Sequence, residues 1–297
     1  MRRGVALPAC MSGMPGLALL VAASPWLVAC ASAAAPGAPP PAVVELTPST
    51  PAPEAAGPAD DGAEGNDDPA LAGMVLIAGE TFTMGFSGCD GDEQPEHEVK
   101  VRGFRLDATE VTMDAYQACV DGGRCAPLGP PTRQDPEDDE KDQERCNVRH
   151  PDRGKHPVNC VTWMQADAYC RARGKRLPTE EEWELAARGP KGRAFPWGDT
   201  FDAERLCWNR ADGTCAVGSY PDGDTPSGLS DMAGNVWEWT STHYCNYTDP
   251  GCSDSGYVDR GGGWISDDPR LLHGAHRGRG EPDAAASYLG FRCARDR

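Results

Sequence analysis

Gly228-Leu229-Ser230-Asp231-Met232-Ala233-Gly234-Asn235-Val236-Trp237-Glu238-Trp239-Thr240 is the stretch on which the reading of this chain turns. Gly234-Asn235 favours positive φ and hence a tight turn. The alternation that follows, Val236-Trp237-Glu238-Trp239, predicts a strand with both tryptophans on one face and the Glu238 carboxylate on the other.

Upstream of that strand the sequence predicts three helices. Thr112 opens one with Tyr116, Cys119 and Val120 on a single face, and Gly122-Gly123 closes it. Thr162 with Gln165, and Thr179 with Glu182, repeat the capping-box pattern ahead of two more, which end at Gly174 and Gly189. Trp163, Tyr169 and Trp183 are expected as core aromatics, and Lys175-Arg176 as a turn facing the acidic third helix. The acidic run over residues 135–144 reads as a solvated surface loop, since its charges are not spaced as a calcium loop.

The first 29 residues look like an export signal: Arg2 and Arg3 precede an apolar stretch that is too short to span a bilayer and is broken by Ser24-Pro25. It ends in Leu27-Val28-Ala29-Cys30, which resembles a bacterial lipobox, so Cys30 is the expected acylated residue and the outer membrane the expected anchor. The alternative is an ordinary secretory signal with Cys30 incidental. Residues 31–70, rich in Ala, Pro, Gly and Asp, hold too few large apolar side chains to fold and read as a tether. One folded domain is then expected over residues 71–297.

Of 13 cysteines, Cys10 and Cys30 fall in the signal and lipid site. The density of the rest argues for disulfides in an oxidising compartment. The short intervals Cys207/Cys215, Cys245/Cys252 and Cys119/Cys125 look like local staples, while the connectivity of Cys89, Cys146 and Cys160 stays open. Close cysteines also suit zinc, but no CxxC pair occurs. A formal charge of −18, falling further once Arg2 and Arg3 are removed, disfavours nucleic acid and anionic lipid surfaces as partners.

Five blocks, MVLIAGETFTMG at 74–85, GKRLPTEEEWE at 174–184, GLSDMAGNVWEWTS at 228–241, RGGGW at 260–264 and LGFRC at 289–293, together resemble the formylglycine-generating enzyme, or sulfatase-modifying factor, family over roughly residues 72–295. The resemblance implies an α+β fold of the C-type-lectin-like, formylglycine-generating class. Low regular content, short antiparallel strands, two or three helices and stapled loops go with it. It also implies a Cys170–Cys293 disulfide.

Two calcium sites follow from the same resemblance. One maps to the side chains of Asp231 and Glu238 with the carbonyls of Gly234 and Val236; the other to Asn209, the Arg210 carbonyl, Asp212 and the Thr214 carbonyl. The alternative for both is a set of turn and capping residues without metal.

The family's catalysis rests on two cysteines, five residues apart, that bind copper(I), because soft Cu(I) needs thiolates. Here those positions are Ser266 and Leu271, and no cysteine lies between Cys252 and Cys293. Neither copper nor the namesake oxidation is therefore expected. His273 and His276 are read as incidental, and Ser266 as a turn former without a nucleophile elbow. The expected function is a membrane-tethered binding module, with Trp264, Arg277 and Ser287 as groove candidates for a peptide, glycan or protein ligand. The alternative is an active oxidoreductase of the formylglycine-generating or a related nonheme-metal class.

Overall fold

In the computed structural model the described residues are 68, 71–88, 91–129, 142–249 and 251–297. The expected export signal, Cys30, nearly all of the tether, Cys89 and residues 135–141 of the acidic run lie outside them.

Helices begin where the caps predict. Thr112 Oγ1 accepts from Ala115 N at the head of α1 (Met113–Asp121), whose Tyr116 and Cys119 are buried. Reciprocal Thr162/Gln165 and Thr179/Glu182 bonds open α2 (Trp163–Ala172) and α3 (Glu180–Arg188). Gly174 (φ 69°) and Gly189 (φ 64°) follow them in the left-handed region that a side chain would resist. Arg176 grips Glu182 through both terminal nitrogens at 2.7 Å, and Lys175 reaches Asp107 at 2.6 Å.

The strands are short and fall into three sheets. β1 (Met74–Ile77), β4 (Phe104–Asp107) and β9 (Ala294–Asp296) form one antiparallel sheet, and β2 (Thr81–Met84) pairs with β3 (His97–Lys100). The third sheet runs β7-β6-β5-β8, from β5 (Trp237–His243), β6 (Tyr257–Arg260), β7 (Arg277–Gly280) and β8 (Leu289–Gly290). Its β5–β8 pair is parallel, the others antiparallel.

Packing between α3 and this sheet is charged as well as apolar. Glu184 and Arg260 are fully buried. Glu184 accepts from Gly85 N and from the Arg188 and Arg260 guanidiniums, and Arg260 also donates to the carbonyls of Ala275 and His276. Buried ions survive only when paired and hydrogen-bonded in this way. The expected Cys119–Cys125, Cys170–Cys293, Cys207–Cys215 and Cys245–Cys252 bonds are all present. A fifth, Cys146–Cys160, resolves a pairing that spacing left open.

Candidate functional site

The β5 alternation sorts its side chains as the sequence predicts. Gly234 (φ 85°) and Asn235 (φ 61°) make the turn, and Trp237 and Trp239 then share a face with Asp259, Gly278 and Gly280 across the sheet. Glu238 points the other way, against Trp183 and Arg292.

The tryptophan face floors a groove of about 760 Å³ whose walls include Ile265, Ser266, Leu271 and Tyr288. Ser266 and Leu271 are thus brought to one cavity. Ser266 Oγ accepts from Gly263 N at 3.1 Å, which makes it the turn former expected of it. No cysteine lines this groove.

The three groove candidates are corrected by the structure, because each is buried and committed elsewhere. Trp264 (1% exposed) donates its indole N–H to the Ser287 carbonyl, and Arg277 holds Glu180 at 2.6 and 3.0 Å. Ser287 bonds Asp142 through both its backbone N–H and its hydroxyl. Asp142 in turn is only 2% exposed and is a buried partner, whereas Glu144 at the end of the acidic run is exposed as expected. Sequence reasoning missed the residues that do form the floor, Trp237 and above all Asp259. The available signal was the Gly278-Arg279-Gly280 alternation, which strips one face of a strand bare.

Asp259 is buried among the rings and glycines, and burial pushes its carboxyl up to about 7, Arg260 opposing only in part. His273 is buried against Phe86 and pushed down to about 4 by burial and then by Arg188. Its neighbour His276 faces Glu93 at 2.9 Å, so the two histidines serve different contacts.

The turn set fits a hard cation in charge. Asp231 (φ 57°) accepts from Gly218 N at 2.6 Å and lies beside buried Glu110, whose Oε2 has no hydrogen-bond partner. Burial, and then Asp231, hold the Glu110 carboxyl well above the usual range, and burial raises Asp231 too. With Glu238, three buried carboxyls face the single Arg292 guanidinium, and a divalent ion would favour the charged forms of Glu110 and Asp231 that burial disfavours. Among the described residues no three Asp, Glu, His or Cys side chains converge on one point, so such an ion would depend on the Gly234 and Val236 carbonyls.

The second expected set does not fit. Asp212 is 69% exposed and ion-paired with Arg210 at 2.9 Å, and Arg153 bonds the Asp212 carbonyl at 2.8 Å. Thr214 Oγ1 joins Asn147 and His156, and Asn209 (φ 47°) donates its backbone N–H to Ser266. The Arg210 and Arg153 guanidiniums thus already serve the Asp212 side chain and carbonyl.

Residues 61–297 match the family described as Sulfatase-modifying factor enzyme 1-like domain. The chain is 38% identical to serine/threonine-protein kinase pkn1 of Chlamydia pneumoniae over 78% of its own length but only 39% of that protein's. It is 34% identical to the inactive C-alpha-formylglycine-generating enzyme 2 of Bos taurus, with 74% of this chain and 87% of that one aligned. The formylglycine-generating enzyme of Streptomyces coelicolor is also 34% identical, over 75% and 89%. The fold of PvdO from Pseudomonas aeruginosa superposes with a TM-score of 0.59 at 23% identity, covering 75% of this chain and 94% of that one. Relatives named active and inactive stand at equal identity, so the groove residues must decide between them.

Proposed function

The chain belongs to the sulfatase-modifying factor family, and from that premise we propose that it is a recognition module in which the oxidative chemistry has been lost and the groove retained. One observation carries the reading: the two positions that hold cysteines in the family's enzymes are Ser266 and Leu271, both in the groove wall. Neither a hydroxyl nor a leucine supplies the thiolate that Cu(I) requires. The flanking cysteines are consumed, Cys252 by Cys245 and Cys293 by Cys170.

Five disulfides among the described residues support residence in an oxidising compartment, in keeping with export and attachment through Cys30. No helix among the described residues is long and apolar enough to cross a membrane. A lipid anchor would leave the domain tethered and its groove open to a peptide, glycan or protein.

Anaerobic titration of the purified protein with Cu(I), followed by an aerobic assay on a Cys-x-Pro-x-Arg peptide, tests the loss of chemistry. Neither stoichiometric copper binding nor aldehyde formation is expected; stoichiometric binding with turnover would overturn the reading.

Calcium, held by Asp231 and Glu238 with the carbonyls of Gly234 and Val236, would supply charge neutralisation at the turn that starts β5. Millimolar calcium is expected to raise the Tm of the wild-type protein, and Asp231→Asn to remove most of that shift. A Tm indifferent to calcium, in a protein freed of metal beforehand, would sink the assignment.

A further inference from the structure

We infer that the groove over the β7-β6-β5-β8 sheet seats the cationic tip of a ligand side chain, with Asp259 as its counter-ion and Trp237 as its aromatic floor. The inference deepens the recognition reading and rests on it.

Asp259 is the observation that carries it. The side chain lines the groove yet is 6% exposed, and no donor among the described residues bonds its carboxylate. A carboxylate so little exposed and without a protein donor leans on the water of the groove, and a cationic ligand tip that displaced that water would pair it. Arg260, its neighbour in the strand, projects to the opposite face and is spent on Glu184. Directly across the sheet from Asp259 is Gly278, whose missing side chain gives the carboxylate its place: a Cβ at Gly278 would collide with the Asp259 Oδ1, and one at Gly280 with the Trp239 ring. The room for a ligand tip is the groove of about 760 Å³ that Asp259 lines.

The surroundings select the sign of charge. Asp267, Glu281 and Asp283 join Asp259 in the lining, against the single guanidinium of Arg279, and Arg279 is already bridged to Asp254 and Glu281 at 2.8 Å each. Trp237 lies on the floor beside Gly278 and puts an aromatic ring, a group that stabilises a desolvated cation, in the lining. An anionic or neutral ligand tip would leave Asp259 buried and unpaired; an ammonium or guanidinium would pair it.

The test uses the purified domain at 0.15 M salt and three capped tripeptides, Ac-Ala-Lys-Ala-NH2, Ac-Ala-Arg-Ala-NH2 and Ac-Ala-Lys(acetyl)-Ala-NH2. Binding is read from the indole N–H resonance of Trp237, assigned by its disappearance in Trp237→Phe. At least one cationic peptide is expected to bind ten or more times tighter than the acetylated one, and the better of the two identifies the head group. The isosteric Asp259→Asn is expected to weaken it about tenfold, while Asp152→Asn, exposed and outside the groove lining, changes it less than about threefold. Because the carboxyl titrates near pH 7, wild-type affinity should also fall about tenfold from pH 8 to pH 6, a readout that needs no variant. Equal binding of the acetylated peptide with no effect of Asp259→Asn would overturn the cation while leaving recognition by the groove intact. Failure of all three peptides to bind would overturn the inference without restoring copper chemistry, which the aldehyde assay judges separately.

Discussion

Arg292→Met is expected to destabilise the domain by about 3–5 kcal/mol, measured as the shift in urea unfolding at constant m. Arg292 is fully buried and holds Glu238 through two bonds of 2.7 Å. It also donates to the carbonyls of Asp107, Ala108 and Ser230, so one side chain ties β4 and the 228–240 turn to β5. Methionine fills the volume but leaves Glu238 with Trp183 Nε1 alone, and removes the one positive charge facing Glu110 and Asp231.

The pH dependence should change as well. Glu110 binds its proton more tightly folded than unfolded, so it costs stability as pH rises above the ordinary carboxylate range. Arg292 is what moderates that rise, and Arg292→Met should steepen the loss toward neutral pH. Adding Glu238→Gln should recover part of the deficit, because a neutral amide tolerates burial better than an orphaned carboxylate. In calcium-free buffer, a deficit below about 1 kcal/mol would mean that water already serves Glu238.

The second large effect is covalent. Removing Cys170–Cys293 by paired alanine substitution is expected to cost about 5 kcal/mol, since the bond closes 123 residues and the unfolded chain gains that loop's freedom. The same substitution at Cys207–Cys215, separated by 8 residues, should cost about 2.5 kcal/mol. For a domain whose total stability is about 5–15 kcal/mol, the first loss is enough to populate the unfolded state at physiological temperature. Equal shifts in Tm for the two variants would show that strain or local packing, and not loop length, sets the contribution.

What the sequence made legible was local. The Thr-x-x-Gln and Thr-x-x-Glu pairs act within four residues, and the helices begin where they say. The Gly234-Asn235 turn and the tryptophan alternation are likewise written in neighbours. The α+β class, the family and the Cys170–Cys293 pair came through the five blocks.

The groove was less legible, because burial is set by distant partners. Arg277 meets Glu180 across 97 residues and Ser287 meets Asp142 across 145, so nothing near either residue announces that it is spent. Asp259 looks like one charge in a short strand until Gly278 is placed opposite it. At the second expected cation set, Arg153 enters from 59 residues away and takes the Asp212 carbonyl. The loop alone does not forecast that arrival.

The β1-β4-β9 sheet carries a consequence for how the molecule is made. Its middle strand, β4, is flanked by strands drawn from nearly opposite ends of the domain, and Arg295 closes on Asp68 at 2.7 Å. A ribosome delivers residues 74–107 long before 294–296, so β4 must wait with one edge bare while some 190 residues follow, a delay that topology imposes on non-local sheets. Completion of the domain is therefore a check on its own length. A chain cut short anywhere before residue 294 cannot cover that edge and presents it to proteases and chaperones.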